Sequence, residues 1–497
     1  SVEYRKLPTL KLNSPETCPR TRILRFLAVD CGVDSKSAVQ EAAALLAKGE
    51  NSVTSRLRKL CTPLYETVLS LMMQHDAQLG LTCLLELRED LLRWLGVASA
   101  AATNDINATS NNNNKLVHDL KELDHYLQRH VLAQWMVPAV GSVQNDLTAS
   151  FSQQLSPPPP LLQMRRLTFA DTSANILERI VRNEAVHPVA SLQDLRLRLG
   201  AGRRVFALFH SCLPVDEPLF VLYVALLDDE GTTSAGAASM SMEQIHSIQE
   251  EPQRATTAVF YSISNLRPGL TGLGLAEYLI HSAVGHLQQS IPSIDTYCTL
   301  SPLPGFGSWL MEQVDCKNWA ALPTPSPERL DISMLKDISK AHHHHHHQGH
   351  DQSALNDMVE LALHQLKQYD RLDETSLMAQ SKGVEQFATS QGSYHALEPW
   401  LRQCAAVYLA ETKSSNHGKP LDPVTRFHVG NGAILDRVFW KANAETRKGW
   451  MNLGMMCSYR YDLLQLEKNQ ARYHDTHHIP LGAQVEQLLS EARGGEV

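Results

Sequence analysis

Three stretches of this chain combine residue types that catalyse reactions or bind ligands. The first is TLSPLPGFGSWL (299–310), where an apolar run ends near Ser301 and two prolines and two glycines follow. Pro302 favours an extended conformation at Ser301, and Pro304 with Gly305 predicts a turn that opens a helix. Ser301 is then either a catalytic group at the tip of a strand or a hydroxyl that satisfies a turn amide. These residues alone favour neither interpretation.

The second stretch is RPGLTGLGLAEYL (267–279), in which Gly269, Gly272 and Gly274 precede a helical pattern. Glycines permit a tight turn, and the amides at the start of the following helix bind phosphate oxygens. The spacing is not the dinucleotide pattern GxGxxG. It resembles the turn by which GNAT-type acetyltransferases hold the pyrophosphate of coenzyme A. A glycine turn also opens many helices for structural reasons alone.

The third stretch is TRFHVGNGAIL (425–435), where His428 lies among apolar residues just before a glycine-rich turn. The pKa of a histidine side chain is close to neutrality, which suits proton transfer. A single histidine in such surroundings is, however, more often a hydrogen-bonded structural residue.

Other histidines are clustered in the chain. AHHHHHHQGH (341–350) contains six in a row, and the C-terminal part has His474, His477 and His478. A metal site needs ligands in fixed geometry with supporting hydrogen bonds, which a homopolymer run does not offer. We therefore predict a surface insertion or a tag at 341–350, and no metal site.

The elements that must position these residues change character along the chain. The first third predicts helices at 38–49, 55–74, 81–96 and 115–136, separated by polar breaks that include the Asn run 111–114. Such amphipathic helices bury their apolar faces in a bundle. The run PPPP at 157–160 indicates a domain boundary.

After about residue 163 the pattern alternates between strands and helices. Predicted strands are 204–210, 219–227, 257–264, 294–301, 433–443 and 458–464, and predicted helices are 273–290 and 396–413. Strand 257–264, the glycine turn, helix 273–290 and strand 294–301 form a βαβ unit. We expect Ser301 to end its last strand, on the side of the sheet where the glycine turn also lies.

Composition restricts the class of protein. The chain has 497 residues, 43% hydrophobic and 20% charged, with a formal net charge of −8. This composition excludes wholesale disorder, and the charge argues against a nucleic-acid or anionic-membrane binder. No apolar run approaches the roughly 20 residues of a membrane-spanning helix. Nine scattered cysteines without a CxxC pair suit a reducing compartment.

Taken together, these motifs resemble those of the malonyl-CoA decarboxylase family. The matching segments, in order, are ILRFLAVDCGVD, LLELREDLL, EAVHPVASLQDLRLRLGAGRRV, EPLFVLYVAL, FYSIS, GLTGLGL, LSPLPGF, LRQCAAVYL, FHVGNGAIL and YRY. The resemblance covers about 23–495. It implies an α+β protein in which an N-terminal all-α helical bundle domain precedes a GNAT-like α/β catalytic domain. We accordingly expect an arm or targeting remnant at 1–22, a helical domain at 23–162 and the catalytic domain at 163–497.

The resemblance also implies site residues. The catalytic serine of the family falls on Ser301 and its catalytic histidine on His428. Ser262 in FYSIS and Tyr459 in YRY fall near the malonyl group. The coenzyme A loop falls on Thr271, Gly272, Leu273, Gly274, Leu275, Ala276 and Glu277. Animal members of the family carry a glutamate where this chain has Gly274, so no catalytic carboxylate is expected there.

The implied activity is that of a carboxy-lyase of fatty-acid metabolism, converting malonyl-CoA to acetyl-CoA and CO2. No cofactor is expected, because coenzyme A is part of the substrate. The family forms homotetramers as dimers of dimers, and we expect the helical domain to mediate this association. The basic N-terminus fits the tail of an organelle-targeting peptide and a solvated arm about equally well. We expect the mitochondrial matrix, with the peroxisome and cytosol as alternatives; the C-terminal GGEV is not a peroxisomal tripeptide. Two rival functions stay open: a GNAT-type acyltransferase or thioesterase with Ser301 as nucleophile, and a non-catalytic coenzyme A sensor.

Overall fold

The computed structural model describes residues 18–32, 63, 65–69, 77–104, 111–136, 162–184, 186–228, 240–248, 254–326, 330–331, 335, 352–369, 395–414, 418–443 and 453–494. These residues belong to two compact units. The first unit lies within Ser1–Ala190, Val205–Leu222 and Ile263–Ala283. The second unit lies within Ser191–Arg204, Tyr223–Ser262 and Val284–Val497.

The first unit is rich in helices. They are α1 (Pro19–Arg25), α2 (Ala77–Asn104), α3 (Asn111–Tyr126), α4 (Ala133–Met136) and α5 (Ala174–Asn183), and π-helical segments at Phe26–Asp30 and Leu127–Leu132 continue α1 and α3. Leucines at helical spacing along α2 are buried (Leu81, Leu84, Leu87 and Leu91). Helix α2 packs against α1 and α3, as its amphipathic pattern predicts.

One predicted break between these helices is wrong. The Asn run 111–114 does not separate helices, because α3 begins at Asn111. Asparagine disfavours a helix only weakly, and packing of the rest of the helix overrides that preference. The predicted helix 38–49, the run PPPP and the His run lie outside the described residues. Within 55–74 the structure describes 63 and 65–69, and 65–69 is helical.

The first unit also contains strand pairs. Strand β1 (Leu162–Leu167) runs antiparallel to β2 (Arg203–His210), in a register from Leu162 opposite His210 to Leu167 opposite Val205. Strand β3 (Phe220–Leu227), whose residues from Tyr223 onward belong to the second unit, follows β2 in the sheet order. Strands β2 and β3 confirm the predicted runs 204–210 and 219–227. Strand β1 was not predicted.

A second set of helices lies further along the chain. They are α6 (Leu192–Arg198), α7 (Met242–Ser247), α8 (Leu275–Ser290), α9 (Phe306–Asp315), α10 (Gln352–Tyr369), α11 (Glu398–Ala410), α12 (Pro423–Gly430), α13 (Leu466–Thr476) and α14 (Ala483–Ala492), with single 3-10 turns at Pro268–Leu270 and Trp319–Ala321. The predicted helices 273–290 and 396–413 correspond to α8 and α11.

The strands of the second unit are β4 (Thr257–Asn265, of which Ile263–Asn265 belong to the first unit), β5 (Thr296–Thr299), β6 (Ser301–Pro302), β7 (Ile434–Phe439) and β8 (Met456–Arg460). Their order after β3 is β4-β5-β8-β6, and β7 pairs with β8. Strands β4 and β5 are parallel from Thr257 opposite Thr296 onwards, which confirms the predicted βαβ unit with α8 as its crossover. The other pairs in this unit are antiparallel. The predicted α+β class, with helices preceding a mixed sheet, is confirmed.

The position of Ser301 differs from the prediction. Strand β5 ends at Thr299, and Ser301 instead begins the two-residue strand β6, opposite Cys457 of β8. The amide of Leu300 donates the last hydrogen bond towards β4, to the carbonyl of Phe260. After this residue the chain pairs with β8. Pro302 then has no N–H with which to extend a ladder. Ser301 therefore begins a second short strand beside β8 rather than ending β5.

Candidate active site

Ser301 and His428 lie side by side in the second unit. The Oγ atom of Ser301 is 3.4 Å from Nε2 of His428, although the two residues are 127 positions apart in the chain. Both side chains are buried, with 7% and 6% of their surface exposed. The structure therefore brings together the two residues that the resemblance implies as catalytic.

Local sequence explains why His428 points there. Helix α12 begins with Asp422 as N-cap, whose carboxylate accepts the amide of Thr425 at 2.7 Å, and with Pro423 at the first helical position. Both choices stabilise a helix start. The helix ends at Gly430, two residues after His428, and Gly432 in the turn beyond it adopts a φ of 84°. His428 is thus fixed in the last turn of a short, capped helix.

Two tyrosines of strand β8 and its continuation hold the imidazole ring. Nδ1 of His428 is 2.8 Å from the hydroxyl of Tyr461. The ring of Tyr459 stacks on the imidazole at 4.6 Å between centroids, with 23° between their planes. Burial lowers the pKa of His428 to about 3, since the low-dielectric surroundings disfavour the charged form. The histidine of the free protein is therefore neutral at pH 7.

Thr299 connects Ser301 to the same strand. Its Oγ1 accepts the backbone amide of Tyr459 at 3.1 Å and lies 3.0 Å from Oγ of Ser301. Hydroxyl hydrogens rotate to suit their partners, so the row of hydrogen bonds that joins Thr299, Ser301 and His428 can run in either direction. This arrangement is suited to moving a proton.

Tyr459 is buried beneath the histidine ring. Its hydroxyl lies 2.7 Å from Oγ1 of Thr425, which is bonded in turn to the carboxylate of Asp422 at 3.1 Å. Burial raises the pKa of Asp422 and that of Tyr459. The role predicted for Tyr459 beside the malonyl group stays a prediction; the observed contacts make its ring the support for His428.

Ser262 lies on β4 and is also buried. Side chains two residues apart on a strand share a face, so Ser262 lies on the same face as Phe260. The Phe260 ring contacts that of Tyr461 at 6.3 Å, next to His428. This face of β4 is the one directed towards the histidine, as a substrate-binding role for Ser262 requires.

The predicted coenzyme A loop lies in the first unit. Gly272 and Gly274 adopt φ angles of 81° and 71°, which L side chains rarely adopt. The Thr271 hydroxyl donates to the carbonyl of Pro268 at 2.8 Å and closes the turn. Helix α8 follows at Leu275, and the amides of its first turn, those of Leu275, Ala276 and Glu277, lie at the N-terminal end of the helix next to the loop. The loop therefore presents donors at the positive end of a 16-residue helix, while Leu273 is buried beneath it.

Sequence reasoning missed three neighbours of Ser301 and His428: Thr299, Thr425 and Tyr461. Two of them carried a signal. Thr299 precedes Ser301 by two residues, and Tyr461 follows Tyr459 by two. Period-two alternation therefore predicts that each shares a face with the residue that was singled out. For Thr425, the only signal in the sequence was the Asp-Pro pair just upstream, which predicts the start of a helix.

Among the residues that the structure describes, no group of three or more His, Cys, Asp or Glu side chains is arranged to hold a metal ion. In the same part of the chain, no helix is long and apolar enough to cross a membrane.

Comparison with known proteins places these observations in a family. The family model described as "Malonyl-CoA decarboxylase C-terminal domain" matches residues 160–496. A relative from Anser anser anser named "Malonyl-CoA decarboxylase, mitochondrial" is 28% identical over 485 residues, which are 95% of this chain and 80% of that protein.

Two solved structures are similar over nearly the whole chain. The malonyl-CoA decarboxylase of Rhodopseudomonas palustris is 26% identical, with a TM-score of 0.62, and the match covers 98% of this chain and 92% of that one. The enzyme of the same name from Agrobacterium vitis is 24% identical, with a TM-score of 0.63, over 94% of this chain and 90% of that one.

Proposed function

The chain belongs to the malonyl-CoA decarboxylase family, and we propose that it converts malonyl-CoA to acetyl-CoA and CO2 with Ser301 and His428 as its catalytic residues. The observation that supports these roles most directly is the buried contact between Ser301 Oγ and His428 Nε2, 3.4 Å apart. A buried serine beside a neutral histidine can orient a small acid and deliver one proton, and the reaction needs both.

Decarboxylation of a malonyl thioester leaves an electron pair on the α-carbon. The thioester carbonyl delocalises that pair as an enolate, so the substrate is its own electron sink. The breaking C–C bond must stand perpendicular to the carbonyl plane to overlap with its π-system. Ser301 hydrogen-bonds the carboxylate or the thioester and fixes this rotation. Donors aimed at the developing oxyanion are each worth roughly 3 kcal/mol.

His428 supplies the proton. The incoming malonyl carboxylate brings a negative charge to the buried imidazole, and an opposite charge nearby raises the pKa of a histidine. The imidazolium then donates its Nε2 proton to the α-carbon after CO2 leaves, which returns a neutral ring. The Tyr461 hydroxyl oxygen accepts a hydrogen bond from the Nδ1–H group throughout, since it lies 2.8 Å away, and Nδ1 keeps its proton. One proton is taken up for each CO2 released.

The remaining predicted residues bind the substrate. The loop from Thr271 to Glu277 holds the coenzyme A pyrophosphate with the first-turn amides of α8. Gly274 supports this assignment, because a Cβ built there meets nothing within 4 Å. Ser262 and the ring of Tyr459 line the malonyl side. Binding of the remote nucleotide then helps to position the reacting end.

We also propose the surroundings in which this activity takes place. No cofactor is needed, because the thioester carbonyl is the electron sink. The first unit's helices are proposed to mediate assembly into a homotetramer, a dimer of dimers. The relative from Anser anser anser is named as mitochondrial, and this supports the mitochondrial matrix over the peroxisome or cytosol.

The test is release of CO2 from carboxyl-labelled malonyl-CoA by the parent protein and its His428→Asn variant. Loss of a proton donor lowers turnover by roughly 100- to 10,000-fold, while coenzyme A binding measured by calorimetry stays within about twofold. His364→Asn, the same substitution at a half-exposed histidine of α10, is the matched control and retains activity. Parental CO2 release by His428→Asn would overturn the assignment. Free coenzyme A in place of acetyl-CoA as the product would overturn the reaction.

A further inference from the structure

Two side chains from the helices of the first unit hold the carbonyl oxygens of the glycine loop. Arg88 of α2 donates from Nη1 to the carbonyl of Gly269 at 2.7 Å. Gln128, in the π-helical segment after α3, donates from Nε2 to the carbonyl of Gly272 at 2.6 Å. Both backbone oxygens are therefore directed at helices that precede the loop by more than 140 residues.

The glycines themselves reflect this close approach. A Cβ built on Gly269 would lie 2.5 Å from the carbonyl oxygen of Leu85, and one built on Gly272 would lie 2.5 Å from Nε2 of Gln128. The same construction at Gly274 meets nothing within 4 Å. The absence of a side chain at Gly269 and Gly272 thus leaves room for the helices of the first unit, whereas Gly274 faces open space.

The helix carrying Gln128 is irregular at that residue. The π-helical segment Leu127–Leu132 interrupts the run from α3 to α4, with Leu127 and Leu132 buried. Single π-helical turns within α-helices are unfavourable and occur frequently at functional sites. The irregularity and the bond to Gly272 are independent observations that identify Gln128.

We infer that Gln128 is a positioning residue for the coenzyme A pyrophosphate, which it does not itself contact; this rests on the proposed function of the loop. A carbonyl oxygen carries partial negative charge and repels phosphate. By bonding the Gly272 carbonyl, Gln128 turns it away from the ligand and leaves the amides of Leu275 to Glu277 as the donors. The helical region is thereby part of the substrate site as well as a packing element.

Gln128 is a better test than Arg88. Arg88 is 2% exposed and also bonds the half-buried Asp124 at 2.8 Å, so removing it takes away the partner of a half-buried carboxylate, leaves space in the core and endangers folding. Gln128→Met keeps the length of the side chain and removes the amide group that donates to Gly272. Gln134→Met, on α4 of the same helical run, is the matched control.

The experiment compares malonyl-CoA with malonyl-pantetheine, which lacks the nucleotide and its pyrophosphate. For Gln128→Met we expect kcat/KM with malonyl-CoA to fall roughly five- to tenfold through KM, the size of one lost hydrogen bond. With malonyl-pantetheine, kcat/KM stays within about twofold of the parent. Gln128→Glu, which adds a negative charge and removes the donor, loses more than the methionine variant. Gln134→Met changes neither value.

Equal losses with both substrates, or no loss with malonyl-CoA, would overturn the inference. Calorimetry with coenzyme A tests the positioning role of Gln128 separately from the proposed reaction, because it measures binding without turnover. If the parent releases no CO2 while Gln128→Met binds coenzyme A five- to tenfold more weakly than Gln134→Met does, the decarboxylase assignment fails and the positioning role stands.

Discussion

Replacing Thr299 with valine tests whether the hydroxyl beside Ser301 holds Ser301 and His428 in the arrangement that the proposed reaction needs. Valine has nearly the shape of threonine, so the change removes the oxygen and leaves the packing. That oxygen accepts the amide of Tyr459 at 3.1 Å and lies 3.0 Å from Ser301 Oγ. Thr299 is 1% exposed, and water therefore cannot replace either bond.

The size of the effect follows from these two contacts. An unsatisfied buried amide at Tyr459 costs about 1–3 kcal/mol, and the lost bond to Ser301 costs about 1 kcal/mol. We therefore expect the free energy of unfolding to fall by roughly 2–4 kcal/mol. A serine hydroxyl that has lost its orienting partner is displaced from its productive position, which lowers kcat by roughly 10- to 100-fold.

The assay measures CO2 release and urea-induced unfolding for Thr299→Val and Thr299→Ser together. Serine keeps the oxygen and loses one methyl group, which costs about 1 kcal/mol of stability, so its kcat stays within about threefold of the parent. If both variants lose activity equally, the methyl group rather than the hydroxyl matters. If Thr299→Val retains parental kcat, Thr299 does not position Ser301.

Two further predictions concern the histidine. Tyr461→Phe removes the hydroxyl that lies 2.8 Å from Nδ1 of His428, and the free-energy cost of the unsatisfied buried nitrogen is about 1–3 kcal/mol. We therefore expect kcat to fall by roughly 5- to 150-fold with KM nearly unchanged. An unchanged kcat would contradict this. The pKa of His428 is lowered from 6.5 to about 3, so below pH 6.5 the unfolded chain binds a proton that the folded protein does not. As the pH is lowered from 6.5 to 3, the free energy of unfolding of the parent should therefore fall relative to that of His428→Asn, which lacks this titration. The expected difference is up to about 1.4 kcal/mol per pH unit. If the two stability curves run parallel over this range, the histidine is not held neutral in the folded protein.

Much of the fold could be predicted from local pattern. The runs that became β2, β3 and β4 are almost continuously apolar, and the glycine turn marks the start of α8. Strand β1 was missed because it is LQMRRL, with only its end residues buried. Its Arg165 lies over the ring of Phe209 at 4.2 Å, so this strand packs polar side chains and lacks an apolar alternation.

The two-residue strand β6 could not be predicted from its own residues. A strand of that length has no pattern of its own, and it exists because β8 provides a partner opposite Ser301. Strand β8 lies about 155 residues further along the chain. Local sequence thus indicates a turn after Ser301, whereas the exact end of the preceding strand depends on a distant pairing.

The candidate site, like the fold, was predictable in part from local sequence and depends in part on pairing between distant residues. Ser301 and His428 could be singled out, but from the residues alone each was open to a structural interpretation. Their pairing came from the resemblance to a family, because no spacing rule relates residues so far apart. The contacts that favour chemistry, with Thr299 on one side and Tyr461 on the other, come from strands β5 and β8 and require the sheet to be assembled.

The same contacts separate decarboxylation from nucleophilic acyl transfer. In a serine hydrolase, a carboxylate accepts the N–H of the histidine and stabilises the imidazolium that forms when serine attacks. Here Nδ1 of His428 faces the phenol of Tyr461, which offers no negative charge. The residue after the serine is Pro302, which has no amide to donate to an oxyanion. A neutral, buried histidine with these partners is poorly suited to generating an alkoxide. It is well suited to gaining a proton when an anionic substrate binds and giving it to an enolate, which is the proton transfer that decarboxylation requires.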